Sequence, residues 1–425
     1  MTSIVAFGDS HIRSNSSRNQ ARLRSWDQII HEGRLLANLG AWLHVGDVFD
    51  ARSTPDDRAE VAQRFQAMGE VAPVLVAHGN HCAPGDLPLM AKLKSRHPIY
   101  VAVRPEVFRF TLATGEAAAW GLIPYPHRSA LVAAGVPHQD IGTAAAVALD
   151  AICMSMAHEM AEARTQGALV LLAGHGTLAG ARTSAGQPMG LDGDIAFTAT
   201  MLERFGDIPK LFGHIHAPQE LYGAWYTGSI AASDWSEIEE KRYCVVSWDG
   251  TRWAMTSHPL DTPKLYHIDG RLTPDGFDWT CDDGDEAHQA GPGFFAGSEV
   301  RVRYHFLAAE KAALDESLVR APFVGAARLD VEPIALRTRS VRAPEVAAAV
   351  TLDQKVQAFV RSAGLDWSPG LDAKLAALQQ PDGAAFLTEV QQNLPESQRT
   401  VSLSSPTAAD LPAGSGRTVQ TAVAS

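Results

Sequence analysis

The chain has 425 residues, of which 46% are hydrophobic and 20% charged, with a net charge of −12. That length suits two or three domains rather than one small core, and the composition excludes disorder throughout. The negative balance disfavours nucleic-acid binding over the whole surface but leaves local basic patches open.

The N-terminus turns polar directly after Met1–Phe7, with no charged segment before a long apolar run. Neither a signal peptide nor a membrane anchor is expected. Residues 1–260 then alternate predicted strands and helices, and five of the strands end in short polar motifs. Ile4–Phe7 runs into Asp9-Ser10-His11, and Trp42–Val45 into Gly46-Asp47. Val74–Ala77 runs into Gly79-Asn80-His81, and Ala168–Ala173 into Gly174-His175. Lys210–Phe212 ends at Gly213-His214-Ile215-His216. Helical patterns cover Arg22–Asn38, Pro55–Met68 and Thr143–Thr165. Such alternation predicts a layered α/β domain, whose ligands gather where strands end.

A second region, 261–342, reads as a small separate lobe. Val300–Phe306 alternates as a strand, with Val300, Val302 and Tyr304 on one face and Arg301, Arg303 and His305 on the other. A helix over Ala308–Leu318 and a strand over Ala327–Pro333 come next, and Thr280–Pro292 reads as an acidic surface loop. Residues 343–395 carry apolar positions at helical spacing: Leu352, Val356, Phe359, Val360 and Ala363, then Leu371, Leu375 and Leu378, then Phe386, Val390 and Leu394. Pro369 and Pro381 divide them into short helices that dock on a partner or pack on their own protein. Residues 396–425, rich in Ser, Thr, Ala and Gly, read as a disordered tail. Cys82, Cys153, Cys244 and Cys281 lie far apart without a CxxC pair, which fits a reducing cytoplasm.

The five motifs share one chemistry. Asp9 and His11 are two apart at the end of a strand and so point to the same side, where a carboxylate and an imidazole reach one metal. His214 and His216 repeat that spacing with two imidazoles. The glycines leave room where the backbone turns beside the ions. Mixed oxygen and nitrogen ligands suit Mn, Fe or Zn better than Mg or Ca. Two such ions clamp both the attacking and the leaving oxygen of a phosphoryl transfer and lower the pKa of a shared water. Asp47 is the natural bridging carboxylate. His81 is free to assist the leaving oxygen, and Asp50, three past Asp47, is placed to hold it in the required tautomer. Each motif alone is weak; their order at successive strand ends carries the two-metal reading.

Other residues have plainer readings. His44 and His78 are structural histidines, Cys82 is a loop thiol, and Trp120, Trp225 and Trp235 pack. Arg13, Arg18, Arg22, Arg24 and Arg34 form a basic stretch, either a nucleic-acid contact or a solvated helix face.

The motifs resemble those of the calcineurin-like metallophosphoesterase superfamily, and within it the SbcD-type subunits of SbcC–SbcD DNA repair nucleases and their phage relatives. The narrower match rests on Gly46-Asp47-Val48-Phe49-Asp50, Gly121-Leu122-Ile123-Pro124-Tyr125, the run from Gly213 to Gln219, and Tyr226-Thr227-Gly228-Ser229 followed by acidic residues and Lys241. It covers residues 1–345 and is specific over 1–260. It implies a layered metallophosphoesterase sandwich, a small α+β capping domain around Ser298–Leu336, and C-terminal helices that hold a partner. By motif it assigns Asp9, His11, Asp47 and His216 to one ion, and Asp47, Asn80, His175 and His214 to the other. His81 becomes the catalytic histidine and Asp50 its orienting partner. The implied activity is manganese-dependent DNA cleavage: exonuclease action on duplex ends, endonuclease action on single strands or hairpins. The implied partners are DNA, a second copy of the chain and an SbcC-type coiled-coil ATPase, in the cytoplasm and at the nucleoid when on DNA, with no membrane. One departure stands out: after Gly-Asn-His the family usually has aspartate, and here it is Cys82. The ligands are untouched, but the loop that carries His81 loses that hydrogen-bonding group. The rival readings are a small-molecule phosphodiesterase on the same scaffold and an architectural DNA-end-binding subunit.

Overall fold

Every residue of the first strand, β1 (Thr2–Phe7), is buried, so both of its faces must be covered. In the computed structural model, which describes residues 1–127, 141–184, 195–281, 293–336 and 344–378, they are covered by different layers. After β1 come α1 (Asn19–Arg34), β2 (Leu39–His44), α2 (Pro55–Gly69), β3 (Val74–Ala77), β4 (Ile99–Ala102), β5 (Glu106–Thr111) and β6 (Ala117–Ile123). Next are α3 (Ile141–Thr165), β7 (Leu169–His175), β8 (Thr177–Leu178), β9 (Ala196–Phe197), α4 (Ala199–Glu203) and β10 (Lys210–Gly213). The strands β11 (Gln219–Leu221), β12 (Ala224–Tyr226), β13 (Arg242–Trp248) and β14 (Trp253–Pro259) complete two mixed sheets. Their strand orders are β14-β13-β1-β2-β3-β4 and β11-β12-β10-β7-β6-β5.

The sheets stack face to face. Ile4, Ala6, Leu43 and Val45 from the first meet Trp120, Leu122, Leu171 and Leu211 from the second. On the outer face of the first sheet, Val5, Phe7 and Trp42 pack on Trp26 and Ile29 of α1 and on Phe65 and Met68 of α2. On the outer face of the second, Val170, Leu172 and Phe212 pack with Leu149, Cys153, Met156 and Met160 of α3. The result is a helix–sheet–sheet–helix stack, which is why the central strands read as unbroken apolar runs rather than alternating ones. α3 is also long and apolar enough to cross a membrane. Here its buried residues recur every three or four positions and lie on the sheet.

α1 begins three residues before the predicted Arg22 and ends four before Asn38. The basic stretch is divided: Arg13, Arg24 and Arg34 are exposed, whereas Arg18 is 5% and Arg22 3% exposed. Arg22 donates to the carbonyl of His11, so its charge holds the backbone of the first motif. α2 starts with a capping box, in which Thr54 and Asp57 exchange hydrogen bonds. The other carboxylate oxygen of Asp57 accepts from Ser14 N–H at 2.6 Å, which ties the loop after the first motif to this helix.

The lobe is larger than a strand–helix–strand unit. A hairpin, β15 (Leu265–Thr273) and β16 (Gly276–Cys281), precedes β17 (Glu299–Leu307), and β18 (Arg328–Leu336) completes a sheet of order β16-β15-β17-β18. Val300, Val302 and Tyr304 are buried in its own core, as their alternation predicts. The helix expected over Ala308–Leu318 is replaced by a turn at Lys311–Ala313 and a short helix, α5 (Ser317–Arg320). Asp315 accepts from Ser317 N–H and starts a new turn there, overriding the helix propensity of the alanines before it. The lobe belongs to the same compact unit as the two sheets, residues 1–337. Arg18 reaches Glu299 at 2.9 Å, and the guanidinium groups of Arg18 and Arg328 both lie over the Trp235 ring, 5.1 and 5.3 Å from its centre. Trp235 thus packs as expected, as a joint between lobe and sheets.

The second unit, 338–425, contains short helices at Pro344–Ala348, Leu352–Ser362 and Pro369–Leu378. Pro369 stands at the boundary between the second and third of these, as expected, and opens the third, since a proline in the first turn forfeits no intrahelical bond. Within Leu352–Ser362 the buried residues are Ala358 and Val360, while Leu352 and Phe359 are exposed. The expected acidic loop beyond Cys281, Pro381, the Phe386–Leu394 stripe and the tail lie outside the described residues.

Candidate metal centre

β1, β2 and β3 run parallel, as do β7 and β10, so all five motifs emerge at strand C-termini. Beyond those termini the backbone leaves the extended conformation. Asp9, His11, Asp47 and His214 have positive φ, at 50°, 46°, 50° and 95°. For non-glycine residues this left-handed backbone costs about 1–3 kcal/mol each and persists only where the surroundings enforce it. Cross-loop hydrogen bonds enforce it here. Asp9 N–H donates to Gly46 O and His11 N–H to Asp47 O, both at 2.9 Å. His214 N–H donates to the Asp9 carboxylate at 3.0 and 3.2 Å, joining the two sheets. Asp9 and His11 therefore converge through kinks rather than through strand alternation. Two glycines make the approach possible. At Gly79 a Cβ would lie 2.0 Å from Asp47 Oδ1, and at Gly46, with φ +116°, 2.1 Å from His175 Nδ1.

The motif residues form two adjoining ligand groups. Asp9, His11 and His216 make one, and Asp47, His175 and His214 the other; His11 also stands in a third cluster, at the rim, with Asp50 and His81. His214 and His216 thus part company, one imidazole to each group, because the kink at His214 ends the strand. Asn80 joins the second group, with Oδ1 3.0 Å from both His175 Nε2 and His214 Nδ1. Asp47 Oδ2 lies 3.2 Å from His175 Nε2 and 3.9 Å from His11 Nε2, so one carboxylate borders both groups.

The outer contacts of the rings show whether a cation fits. His175 Nδ1 is 2.8 Å from the carbonyl of Val45 and so carries the hydrogen. In the neutral ring its Nε2 then presents a lone pair to two oxygens, from Asn80 and Asp47. On the other side, His216 Nδ1 donates to Glu237 Oε1 at 2.7 Å, which turns its Nε2 lone pair towards His11 Nε2, 3.0 Å away. Asp50 Oδ1 lies 3.4 Å from His11 Nδ1, and its negative charge favours the hydrogen of that ring on the same outer side. Lone pairs facing lone pairs at such distances need a cation between them, a proton or a metal ion. These buried His and Asp groups can therefore hold metal ions.

The electrostatics agree. Burial would raise the Asp47 carboxyl, but the charge and hydrogen bond of His175 override it and hold Asp47 well below the usual carboxylate range. Burial would lower His175, and Asp47 raises it instead. Burial would also raise the Glu237 carboxyl; the His216 hydrogen bond and the Lys241 charge keep it low.

His81 is exposed at the rim, its ring centre 4.8 Å from that of His11. Its Nδ1 donates to the backbone carbonyl of Asp50 at 3.0 Å. The Asp50 carboxylate, expected to orient His81, faces His11 and Arg13 instead. The orienting contact on His81 is thus a carbonyl, because the chain turns back on itself after Phe49. His81 N–H also donates to Asp47 Oδ1 at 2.8 Å. Neither contact uses residue 82. The Cys82 thiol is buried in the core and pushed up to about 12, chiefly by desolvation, so it is an inert packing group. A cleft of about 190 Å³ lined by Ser184, His214, His216, Asp234 and Glu237 opens beside the two groups.

His44 is structural. It accepts from Gly46 N–H through Nδ1, and its Nε2 lies 2.8 Å from Ser10 Oγ. Burial lowers it to about 3, so in the native state it stays neutral where the unfolded chain takes up a proton. Stability is therefore lost as pH falls from about 6.5 towards 3, by about 3 kcal/mol at pH 4.5. Urea unfolding at pH 8 and pH 4.5 should show a loss smaller by about that amount in His44→Gln, which keeps a donor for Ser10 but does not titrate. Equal losses in both proteins would refute this.

Glu237 and Arg22 escaped the sequence reading as site residues. The acidic run before Lys241 was the available signal for Glu237, but several acids there are equivalent in sequence. Arg22 carries no signal, because only the fold directs it to a carbonyl.

No family model matches the chain. No curated protein matches it. Among solved structures, TT1561 of Thermus thermophilus is similar at 11% identity and a TM-score of 0.36, over 60% of this chain and 98% of that one. AQ665 from Aquifex aeolicus, a protein of unknown function, is similar at 16% identity and a TM-score of 0.19, over 30% of this chain and 62% of that one. Both likenesses are too distant to bear on function.

Proposed function

We propose that this chain is a metal-dependent phosphoesterase that hydrolyses phosphodiesters, and that its substrate is DNA. The observation that carries the hydrolase reading is the meeting of two His/Asp ligand groups at the single carboxylate of Asp47. Asp9, His11, Asp47 and His216 would hold one divalent ion, and Asp47, Asn80, His175 and His214 the second, with manganese suited to the mixed donors. When bound, such a pair supplies Lewis acidity towards a phosphoryl group and lowers the pKa of water. The remaining work falls to the chain itself. The Asp50 carbonyl fixes the Nδ1–H of His81, an exposed residue, so that Nε2 is the nitrogen left for chemistry. A protonated His81 donates its Nε2 proton to the leaving oxygen as the ester bond breaks.

DNA as substrate is supported by the SbcD-type sequence around the motifs. The same resemblance supports a homodimer, a coiled-coil ATPase partner held by the C-terminal helices, and a cytoplasmic, nucleoid-associated location. Burial of Arg18 and Arg22 withdraws two cations from any DNA-binding face and favours the second reading, a small phosphodiester.

One assay separates them. Purified protein with Mn²⁺ is given end-labelled duplex DNA, single-stranded DNA and bis(p-nitrophenyl) phosphate. Cleavage of DNA is the expected result. Hydrolysis of the small ester with DNA left intact would establish the second reading. Absence of bound metal, with DNA ends still bound, would make the chain an architectural subunit.

A further inference from the structure

Between β12 and β13 the chain places a closed polar network directly behind His216. Ser229 N–H donates to the carbonyl of His216 at 3.1 Å and so fixes its backbone. Ser229 is itself bridged to Gly8, at the end of β1. Ser229 Oγ donates to Glu237 Oε2 at 2.9 Å, and Glu237 Oε1 accepts from His216 Nδ1. Lys241 completes the network. Its ammonium donates to Ser229 Oγ at 3.0 Å, Glu237 Oε2 at 2.6 Å and Glu239 Oε1 at 2.9 Å, using all three of its hydrogens. The Glu237 and Lys241 side chains are only 4% and 2% exposed. Two residues before Glu237, Trp235 packs against the guanidinium groups of Arg18 and Arg328, and its carbonyl accepts from His267 Nε2 at 2.6 Å.

We propose that Glu237, held by Lys241 and Ser229, is a positioning residue that presents His216 Nε2 as a ligand to the Asp9–His11–His216 group. The inference rests on the two-metal reading above. Its logic is geometric. An imidazole can turn about its bond to the backbone and can carry its hydrogen on either nitrogen. Glu237 removes both freedoms, because an ionised carboxylate only accepts and must be met by Nδ1–H. One lysine against two carboxylates leaves the network with a net negative charge behind the ring, which strengthens the nitrogen on the opposite side as a donor. Had the network served only to fasten the loop, the Lys241–Glu239 pair and the Trp235 packing would suffice, and Glu237 would not need to face a histidine.

The test is Mn²⁺ binding to the full-length, metal-free protein, followed by electron paramagnetic resonance of the free ion. Wild type should bind two ions per chain. Glu237→Gln should bind one ion as wild type does and the other about 10–100-fold more weakly. Ser229→Ala should shift the same site in the same direction by less. The thermal midpoint of each metal-free variant is measured alongside. A lower midpoint with both Mn²⁺ affinities intact would make the network merely structural and overturn the proposal. Wild type that binds no Mn²⁺ would instead overturn the two-metal reading, and this inference with it. Should Glu237→Gln fail to fold, imidazole ¹⁵N spectra of wild type loaded with diamagnetic Zn²⁺ decide the matter. Nδ1–H with Nε2 coordinated on His216 is expected, and the reverse arrangement overturns the proposal.

Discussion

Asp47→Asn should abolish both metal binding and turnover, with hydrolysis reduced by about 10³-fold or more, equivalent to about 4 kcal/mol of barrier. Asp47 borders both ligand groups: Oδ2 lies between His175 and His11 while Oδ1 takes the His81 N–H. Asparagine keeps the shape and an oxygen for His81, so the fold should survive. The charge that balances two cations, and that raises His175, would be gone. Metal content by mass spectrometry and hydrolysis rates on the same preparation check this. A variant that keeps two ions and turns over within tenfold of wild type would show that Asp47 does not bridge. Gly79→Ala is an independent probe of the same point. It removes no ligand, yet its Cβ would fall on Asp47 Oδ1, so it should lower metal content as well.

His81→Ala should separate chemistry from binding. His81 lies at the rim, held by a backbone carbonyl, and stands outside the two groups that meet at Asp47. Turnover on DNA should fall by about 10²–10⁴-fold, the usual worth of a general acid. Bound metal should stay near two ions per chain. The loss should depend on the leaving group. A DNA alkoxide needs a proton as it departs, whereas p-nitrophenolate hardly does, so the variant should lose much less activity on bis(p-nitrophenyl) phosphate. Equal losses on both substrates would deny His81 the role of acid. A fall in metal content would make it a ligand instead, in the group it forms with His11 and Asp50.

The resemblance implies which residues would be ligands, and of these Asn80 lies within contact of both His175 and His214. It was less informative about Asp50, because a motif records which residue stands at a position, not which of its atoms does the work. The carboxylate was the obvious guess for orienting His81, and the carbonyl holds it. Cys82 illustrates the converse. An aspartate-to-cysteine change looked disruptive beside His81, but the side chain points into the core with Phe49, and His81 is anchored by other contacts.

By itself the sequence determined the layered α/β order, the strands that end in polar motifs, and the residues that meet. Those are local matters: apolar runs mark strands buried on both faces, and polar residues at their ends have nowhere to go but the sheet edge. Only the tertiary structure decided how the ligands are aimed. The left-handed turns at Asp9, His11, Asp47 and His214 are unfavourable locally and are stabilised by hydrogen bonds from loops that are distant in sequence. The parting of His214 from His216, the burial of Arg18 and Arg22, and the choice of Glu237 among neighbouring acids depend on the same long-range contacts. No window of sequence contains both partners of such a contact, so neither pattern nor propensity can report it.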